Sequence, residues 1–303
     1  VYLSVTRDSV FEIEKMTRKR KGKWDTEAIT TGSDKDNIRP FAVRNAAEGN
    51  SLQILWMQNT RYIHYTDYLT SLKMDILPEN SGNVYDPDNI RTIMEQAANW
   101  QLANPFTRAS RLDWHWGAFY TGLIAHYEST GNTLYLNEMM NIGESADWKI
   151  MNQIFHADRL TIADMYIWLY GMNRDPALID KSRWAMDIHI SRHPKADVTF
   201  ENNDYRFEWW TWCDALYMAP PSFARMYLET GEEKYLEYAI EHWKITANYL
   251  YSVEDSLFYR DDRFFDDTTP NGKKVFWGRG NGWVIGGLAR MLEILPENHP
   301  ERE

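Results

Sequence analysis

The chain has 303 residues, 44% of them hydrophobic and 25% charged, with a net charge of −11; that is the balance of a folded globular protein, and its acidity speaks against nucleic acid as a partner. No apolar run approaches the roughly 18 residues of a membrane span, and the single cysteine, Cys213, cannot close an intrachain disulfide. Aromatic residues reach 15%, with 14 tryptophans, more than a core alone requires, so each tryptophan is weighed between helix packing and contact with a sugar ring.

Residues 1–77 read as β. Val1 opens inside a strand pattern, and Phe11-Glu-Ile-Glu-Lys-Met alternates apolar and charged residues at the period of a half-exposed strand. Ile38–Val43, Leu52–Met57, Tyr62–Tyr68 and Leu69–Ile76 are further short strands, with turn residues at Asn50-Ser51 and Asn59-Thr60. The plain reading is a small antiparallel sheet. Residues 78–87 lack periodicity and read as a linker. From Asp88 the period is helical, and helices are predicted near 88–102, 116–129, 133–149, 160–171, 176–191, 213–228, 233–250 and 282–295. His126-Tyr-Glu-Ser-Thr-Gly-Asn-Thr-Leu-Tyr-Leu matches Met226-Tyr-Leu-Glu-Thr-Gly-Glu-Glu-Lys-Tyr-Leu, and Leu169-Tyr-Gly-Met-Asn-Arg-Asp-Pro-Ala-Leu-Ile is a degenerate third copy. In the first two a helix ends at a glycine suited to a left-handed cap, and each copy reads as the corner of an α/α hairpin. Such hairpins build a solenoid or an α/α toroid. A toroid of six hairpins needs twelve helices, so truncation is expected at both ends of the chain, with an open ring and uncovered apolar helix faces.

Four segments fall at the starts of the helices that would line a toroid's cleft: Asp113-Trp-His-Trp-Gly, His156-Ala-Asp-Arg, Trp209 to Asp214, and Trp277 to Trp283. Asp158 and Asp214 lie about one hairpin repeat apart, so they can occupy equivalent places on neighbouring hairpins. Asp158 is alternatively a helix N-cap. Asp214, among tryptophans and other apolar residues, is costly there as an unpaired carboxylate, and crowding by Trp209, Trp210 and Trp212 would raise its pKa. Asp164, inside an apolar helix stretch, reads as one half of a helix-face salt bridge rather than a third cleft carboxylate. Arg279 and Asn281 sit between glycines, where backbone can approach a ligand, and arginine takes a carboxylate in a forked geometry. A dinucleotide loop does not fit, because no βαβ unit surrounds these glycines. The histidines share no metal spacing and no nucleophile elbow is present, so neither a metal nor a cofactor is expected.

These residues resemble glycoside hydrolase family 105, the unsaturated rhamnogalacturonyl hydrolases, with the family 88 unsaturated glucuronyl hydrolases as cousins. The resemblance covers roughly residues 85–303. It rests on Trp212-Cys-Asp-Ala-Leu-Tyr-Met-Ala-Pro-Pro, on Trp277-Gly-Arg-Gly-Asn-Gly-Trp, on Asp158 with its apolar helix, and on Trp114 to Gly117. It implies an (α/α)6 toroid and removal of a 4,5-unsaturated uronic acid from the non-reducing end of lyase-generated oligosaccharides. It further implies Asp214 as general acid and Asp158 as the second essential aspartate. Trp114 is then an aromatic cleft residue, and Trp277, Arg279 and Trp283 hold the sugar and its carboxylate. Trp210, Trp212 and Asn281 join them as substrate-binding candidates. Arg260 stands where some members of the family carry histidine, which makes the pocket more cationic. The β segment resembles the end of a BNR-repeat propeller, through Asn37-Ile-Arg-Pro-Phe-Ala-Val-Arg, Leu55-Trp-Met and Tyr62-Ile-His-Tyr-Thr-Asp-Tyr. The expected partner is an acidic oligosaccharide, with a periplasmic or secreted location favoured over the cytoplasm. A toroid glycosidase on saturated sugars and a non-catalytic carbohydrate-binding protein are the alternatives.

Overall fold

A computed structural model describes residues 1–19, 22–43, 52–61, 70–76, 86–192, 197–201, 203–204 and 206–302. The chain divides into two compact units, Val1–Ile90 and Arg91–Glu303.

The first unit holds two antiparallel three-stranded sheets: β1 (Tyr2–Arg7), β2 (Val10–Arg18) and β3 (Trp24–Ala28) in one, β4 (Asp36–Ala42), β5 (Leu52–Asn59) and β6 (Thr70–Ile76) in the other. Ile13, Ile54 and Trp56 form its buried core, with Tyr2 and Ile29 against it. β3 is exposed along its length and has no apolar face, which is why no strand is expected there from the sequence. The strand predicted at Tyr62–Tyr68 lies outside the described residues. Glu12 departs from the alternation expected of β2, since it is buried beside Ile13. Its carboxylate accepts bonds from the Thr30 hydroxyl, from Ser33 N at 2.7 Å and Oγ at 2.8 Å, and from Asn37 Nδ2 at 3.3 Å. Burial pushes this carboxyl up, and the donated bonds outweigh that and hold it below its ordinary value. Asn37 in turn accepts from Trp56 Nε1 at 2.8 Å, which joins the two sheets through one buried polar chain.

The second unit is mainly α. Its helices are α1 (Pro87–Ala103, begun in the first unit), α2 (Trp114–Thr130), α3 (Thr133–Ser145), α4 (Ala157–Asn173), α5 (Asp180–Ser191), α6 (Ala215–Met218), α7 (Pro220–Thr230), α8 (Glu233–Leu250) and α9 (Gly278–Ile294). Between α8 and α9 stands a short hairpin, β7 (Tyr251–Ser252) and β8 (Leu257–Phe258). The helices α2, α4, α6–α7 and α9 pack side by side in chain order, and α3, α5 and α8 lie against them, the layering of an α/α toroid. The apolar faces of both layers meet in one large cluster that includes Tyr120, Tyr135, Met139, Tyr166, Trp210 and Phe223. No helix among the described residues is long and apolar enough to cross a membrane.

Two of the three predicted corners close on glycine in the left-handed region, Gly131 at φ 68° and Gly231 at φ 74°. The third does not. Gly171 stays inside α4, and Arg174 takes the left-handed cap at φ 60°. A side chain at Gly171 would collide with the Glu229 carboxylate, whose Oε2 pairs with Arg174 Nη2 at 3.1 Å. The helix predicted over 213–228 is divided at Ala219, because Pro220 and Pro221 lack the N–H groups that would continue it. The helix predicted from 176 opens instead with a 3-10 turn at Pro176–Leu178. The glycine-rich run after Trp277 is not a loop. Gly278, Gly280 and Gly282 form the first turns of α9 with no positive φ. Gly280 is required for space, since a Cβ there would run into the Trp277 ring and stand 2.7 Å from Cys213 Sγ.

Candidate active site

The helices α2, α4, α6 and α9 bring four chain segments together at their N-terminal ends. Asp113 caps α2, with Oδ1 accepting from Trp114 N at 2.9 Å, and the same oxygen holds Arg159 Nη1 at 2.6 Å, tying the start of α2 to the first turn of α4. The cap of α4 is His156, whose Nδ1 accepts from Asp158 N at 3.3 Å. Asp158 is therefore not the cap that the sequence offered as an alternative; it stands in the first turn with its side chain committed to no capping bond. Asp214 precedes α6, and its side chain makes no capping bond either.

The loop before Asp214 is strained and pinned. Trp210 has φ 55°, an outlier for so bulky a residue. Thr246 Oγ1 donates to the carbonyls of Trp209 at 3.3 Å and Trp210 at 3.2 Å, Trp210 Nε1 donates to Phe155 O at 3.0 Å, and Cys213 N donates to Arg260 O at 2.8 Å. These bonds hold Asp214 against the chain that carries Arg260.

Both carboxyls are raised. Burial is the main cause at Asp158 and the charge of Asp214 is the second, against the pull of Arg159, and together they bring it up to about 7. Burial also raises Asp214, opposed by its own backbone N–H and then by the guanidinium charges of Arg260 and Arg279. Each carboxyl has one buried oxygen, Asp158 Oδ1 and Asp214 Oδ1, without a hydrogen-bond partner. Such a group is a protonated carboxyl or an acceptor waiting for a ligand. His156 comes within 3.6 Å of Asp158 Oδ1 but is no counter-ion near neutral pH, because burial and then Arg159 push its pKa down to about 4.

Beside the pair lies a cationic pocket. Arg260, Phe264, Val275, Phe276, Trp277 and Arg279 line a cavity of about 390 Å³. The guanidinium of Arg279 lies 4.8 Å from the centre of the Trp277 ring and that of Arg260 lies 5.6 Å from it. Trp283 packs against Tyr217 at 4.7 Å and edge-on to Trp114 at 6.0 Å, making an aromatic wall from α2, α6 and α9. Among the described residues no group of three His, Cys, Asp or Glu side chains is placed to hold a metal ion.

Three of the predicted binding residues are placed otherwise. Trp210 is fully buried and packs on Phe223, Tyr238 and His242, and Trp209 stacks on His242, so these rings serve the packing of α7 and α8. Trp212 is nearly buried, against His156, Phe200 and Phe207. Asn281 turns away from the pocket and bonds the backbone of Phe258 and of Trp277. Neighbouring residues on an irregular loop point in unrelated directions, so tryptophans grouped in sequence need not share a surface. The Asp113–Arg159 ion pair and the cap role of His156 escape the sequence reading; an Asp directly before an apolar helix run was the available signal for the first.

Known proteins resemble this chain over its helical unit. Residues 88–303 match the model of Glycosyl Hydrolase Family 88. The chain is 32% identical over 235 residues to an unsaturated 3S-rhamnoglycuronyl hydrolase of Alteromonas sp. (strain LOR), covering 70% of this chain and 57% of that protein. It is 34% identical over 224 residues to a protein of the same name from Formosa agariphila, covering 70% and 59%. The chain thus spans less than two thirds of the length of these relatives. A solved glycosyl hydrolase family 88 structure from Bacteroides vulgatus superposes with a TM-score of 0.62 at 26% identity, over 72% of this chain and 64% of that one. With the family model matched over residues 88–303, which takes in the whole second unit, the chain belongs to glycosyl hydrolase family 88.

Proposed function

We propose that the protein is a glycoside hydrolase that removes a 4,5-unsaturated uronic acid from the non-reducing end of an oligosaccharide, by protonation at C4 and hydration at C5. The observation that carries this reading is the pair of half-buried, raised carboxyls, each with one buried oxygen that has no hydrogen-bond partner, beside an arginine- and tryptophan-lined pocket. The names of the two curated relatives point the same way.

In this mechanism the unsaturated uronate is a vinyl ether. Asp214 delivers its proton to C4, and positive charge develops at C5 and the ring oxygen. Water adds at C5 and gives a proton back to the Asp214 carboxylate. The resulting hemiketal opens and the aglycone leaves. The carboxylate spacing that separates retaining from inverting glycosidases has no bearing on such a hydration. Asp158 binds sugar hydroxyls and places the water. The arginines supply a trigger. In the free protein Arg260 and Arg279 pull the Asp214 pKa down. A substrate carboxylate seated on them cancels that pull, so Asp214 becomes the better proton holder when substrate arrives.

The remaining architecture is read as a β segment over 1–77, a linker over 78–87 and the catalytic domain over 88–303. Two small antiparallel sheets in the first unit suit pieces of propeller blades, which cannot close a ring by themselves. The test of the activity is spectroscopic. Incubation with an unsaturated uronyl disaccharide should erase the ultraviolet band of the double bond. A protein that binds the disaccharide and leaves the band intact is a carbohydrate-binding protein instead.

A further inference from the structure

Resting on the unsaturated-uronyl reading, we propose that Asp164 and Arg290 are a positioning pair for the reaction: buried among the helices that carry the site, they hold the Tyr217–Trp283 wall where the sugar ring is received.

Asp164 lies on α4, six residues after Asp158, and is fully buried. Its Oδ1 accepts from Arg225 Nε of α7 at 2.8 Å, and its Oδ2 stands 2.7 Å from Arg290 Nη2 of α9. Burial pushes this carboxyl up, and the two guanidinium charges outweigh that and hold it below its ordinary value. One carboxylate thus joins the two helices whose first turns hold Asp158 and Arg279 to α7, which follows directly on the helix of Asp214. Such a buried ion group is a weak source of stability, since apolar side chains of similar volume hold helices together at least as firmly. A carboxylate gripped by two donors does fix the register of those helices, because its bonds have one geometry.

Arg290 reaches the site through Tyr217. Its guanidinium lies 5.0 Å from the centre of the Tyr217 ring, and that ring lies 4.7 Å from the ring of Trp283. Trp283 and Arg290 are seven residues apart, two turns along one face of α9, so both meet Tyr217 from the same helix. The helix comes this close because Gly287 has no side chain: a Cβ there would collide with the Leu216 carbonyl and stand 2.9 Å from Tyr217 Cα. Among the described residues Asp164 is the one carboxylate within ion-pair distance of Arg290. Without it, Arg290 would be a buried cation with no counter-ion, and keeping it on Tyr217 would be costly. Asp214 is held apart from this relay, by the bonds of its loop to Thr246, Phe155 and Arg260. The pair therefore governs the wall and leaves the acid in place.

The experiment compares the unsubstituted protein with Arg290→Lys and with the apolar triple variant Asp164→Leu, Arg225→Met, Arg290→Met. Lysine keeps a charge beside Asp164 and loses the flat face that lies over Tyr217. The triple variant leaves no buried ion unpaired and should melt within about 5 °C of the unsubstituted protein. In both, KM for an unsaturated uronyl disaccharide should rise about 10- to 100-fold, with kcat within about threefold. A role in stability alone would lower the folded fraction and the apparent kcat and leave KM unchanged. Amide hydrogen exchange in the free proteins needs no substrate: it should quicken at Leu216–Tyr217 and Trp283–Gly287 and keep its rate in α3 and α5. An unchanged KM in the folded triple variant, or exchange that quickens evenly through the helical unit, overturns the proposal. Where the triple variant does not fold, an unchanged KM in Arg290→Lys does so. If the unsubstituted protein leaves the ultraviolet band of the disaccharide intact, the hydrolase reading fails, and the exchange pattern still decides whether the pair holds the wall.

Discussion

The side-chain amide of Asn281 bonds both backbone groups of Phe258, accepting from its N–H at 2.8 Å and donating to its carbonyl at 3.0 Å. This mimics the pairing of another strand and leaves the amide no freedom to meet a ligand. Asn281→Ala should remove three hydrogen bonds: both backbone groups of Phe258 lose this partner, and Trp277 O keeps only the backbone N–H of residue 281. We expect a loss of about 1–3 kcal/mol in stability and a rise in KM larger than the fall in kcat, read by denaturant melts and steady-state kinetics. A fall in kcat alone would place Asn281 at the reacting atoms instead.

Asp214→Asn should abolish consumption of the unsaturated uronate and spare its binding. Asparagine keeps the shape but has no proton for C4, and general acid catalysis supplies about 10²–10⁴-fold in rate. Arg279→Ala should act on KM, since its contact to the carboxylate is made in ground and transition states alike. Near-normal turnover with Asp214→Asn, together with its loss in Arg279→Ala, would falsify the assignment of the acid.

Asp158 links site chemistry to stability. Folded Asp158 keeps its proton up to about pH 7, whereas its unperturbed value is 3.8. Between those limits the folded state binds more protons, so stability is fully present below the lower one and declines as pH rises through the upper. Asp158→Asn should therefore melt higher than the unsubstituted protein above pH 7, by the equivalent of about 2–4 kcal/mol at most, with the gap closing toward pH 4. A gap that widens toward acid would show the carboxyl to be stabilised as the anion.

The same displacement sets the activity profile. Asp158 and Asp214 titrate as an interacting pair, and the reaction needs a proton on it. The rate should fall as pH rises past about 7, where Asp158 ionises. Rate measurements from pH 5 to 9, expected to fall on the alkaline side, check this.

Gly280→Ala should damage the pocket and spare the fold. The added methyl would meet the Trp277 ring and Cys213 Sγ. Trp277 can yield only by moving out from under the two guanidinium groups. The signature is a weaker quenching of tryptophan fluorescence by ligand, with far-ultraviolet dichroism unchanged.

Much of the helical unit is legible in the amino-acid order, because local chemistry decides it. The helix over 233–250 coincides with α8, and Gly131 and Gly231 close corners that their sequences announce. Reading fails where a tertiary contact overrides the local signal. Gly171 resembles a helix stop, but its missing side chain makes room for Glu229, and the chain turns three residues later at Arg174. The glycines after Trp277 resemble a ligand loop and are the first turns of a helix, in which Gly280 packs closely on the Trp277 ring and Cys213. Asp164 illustrates a reading right in kind and short in extent. A salt bridge on one helix face is readable, but Arg225 of α7 at 2.8 Å and Arg290 of α9 at 2.7 Å come from distant helices. In the candidate site, residue types and order were visible. Which tryptophan faced the pocket depended on the torsions of an irregular loop, and no periodicity encodes those.

Cys213 lies fully buried next to Asp214, and burial, then the neighbouring Asp214 charge, pushes its thiol up to about 12. A thiol so placed is inert while the loop from Trp209 to Asp214 stays closed. It is also the chain's single sulfhydryl, which makes it a built-in clock. The rate at which a thiol reagent labels the native protein counts how often this loop opens, and a ligand that seals the pocket will slow that clock without any probe being attached.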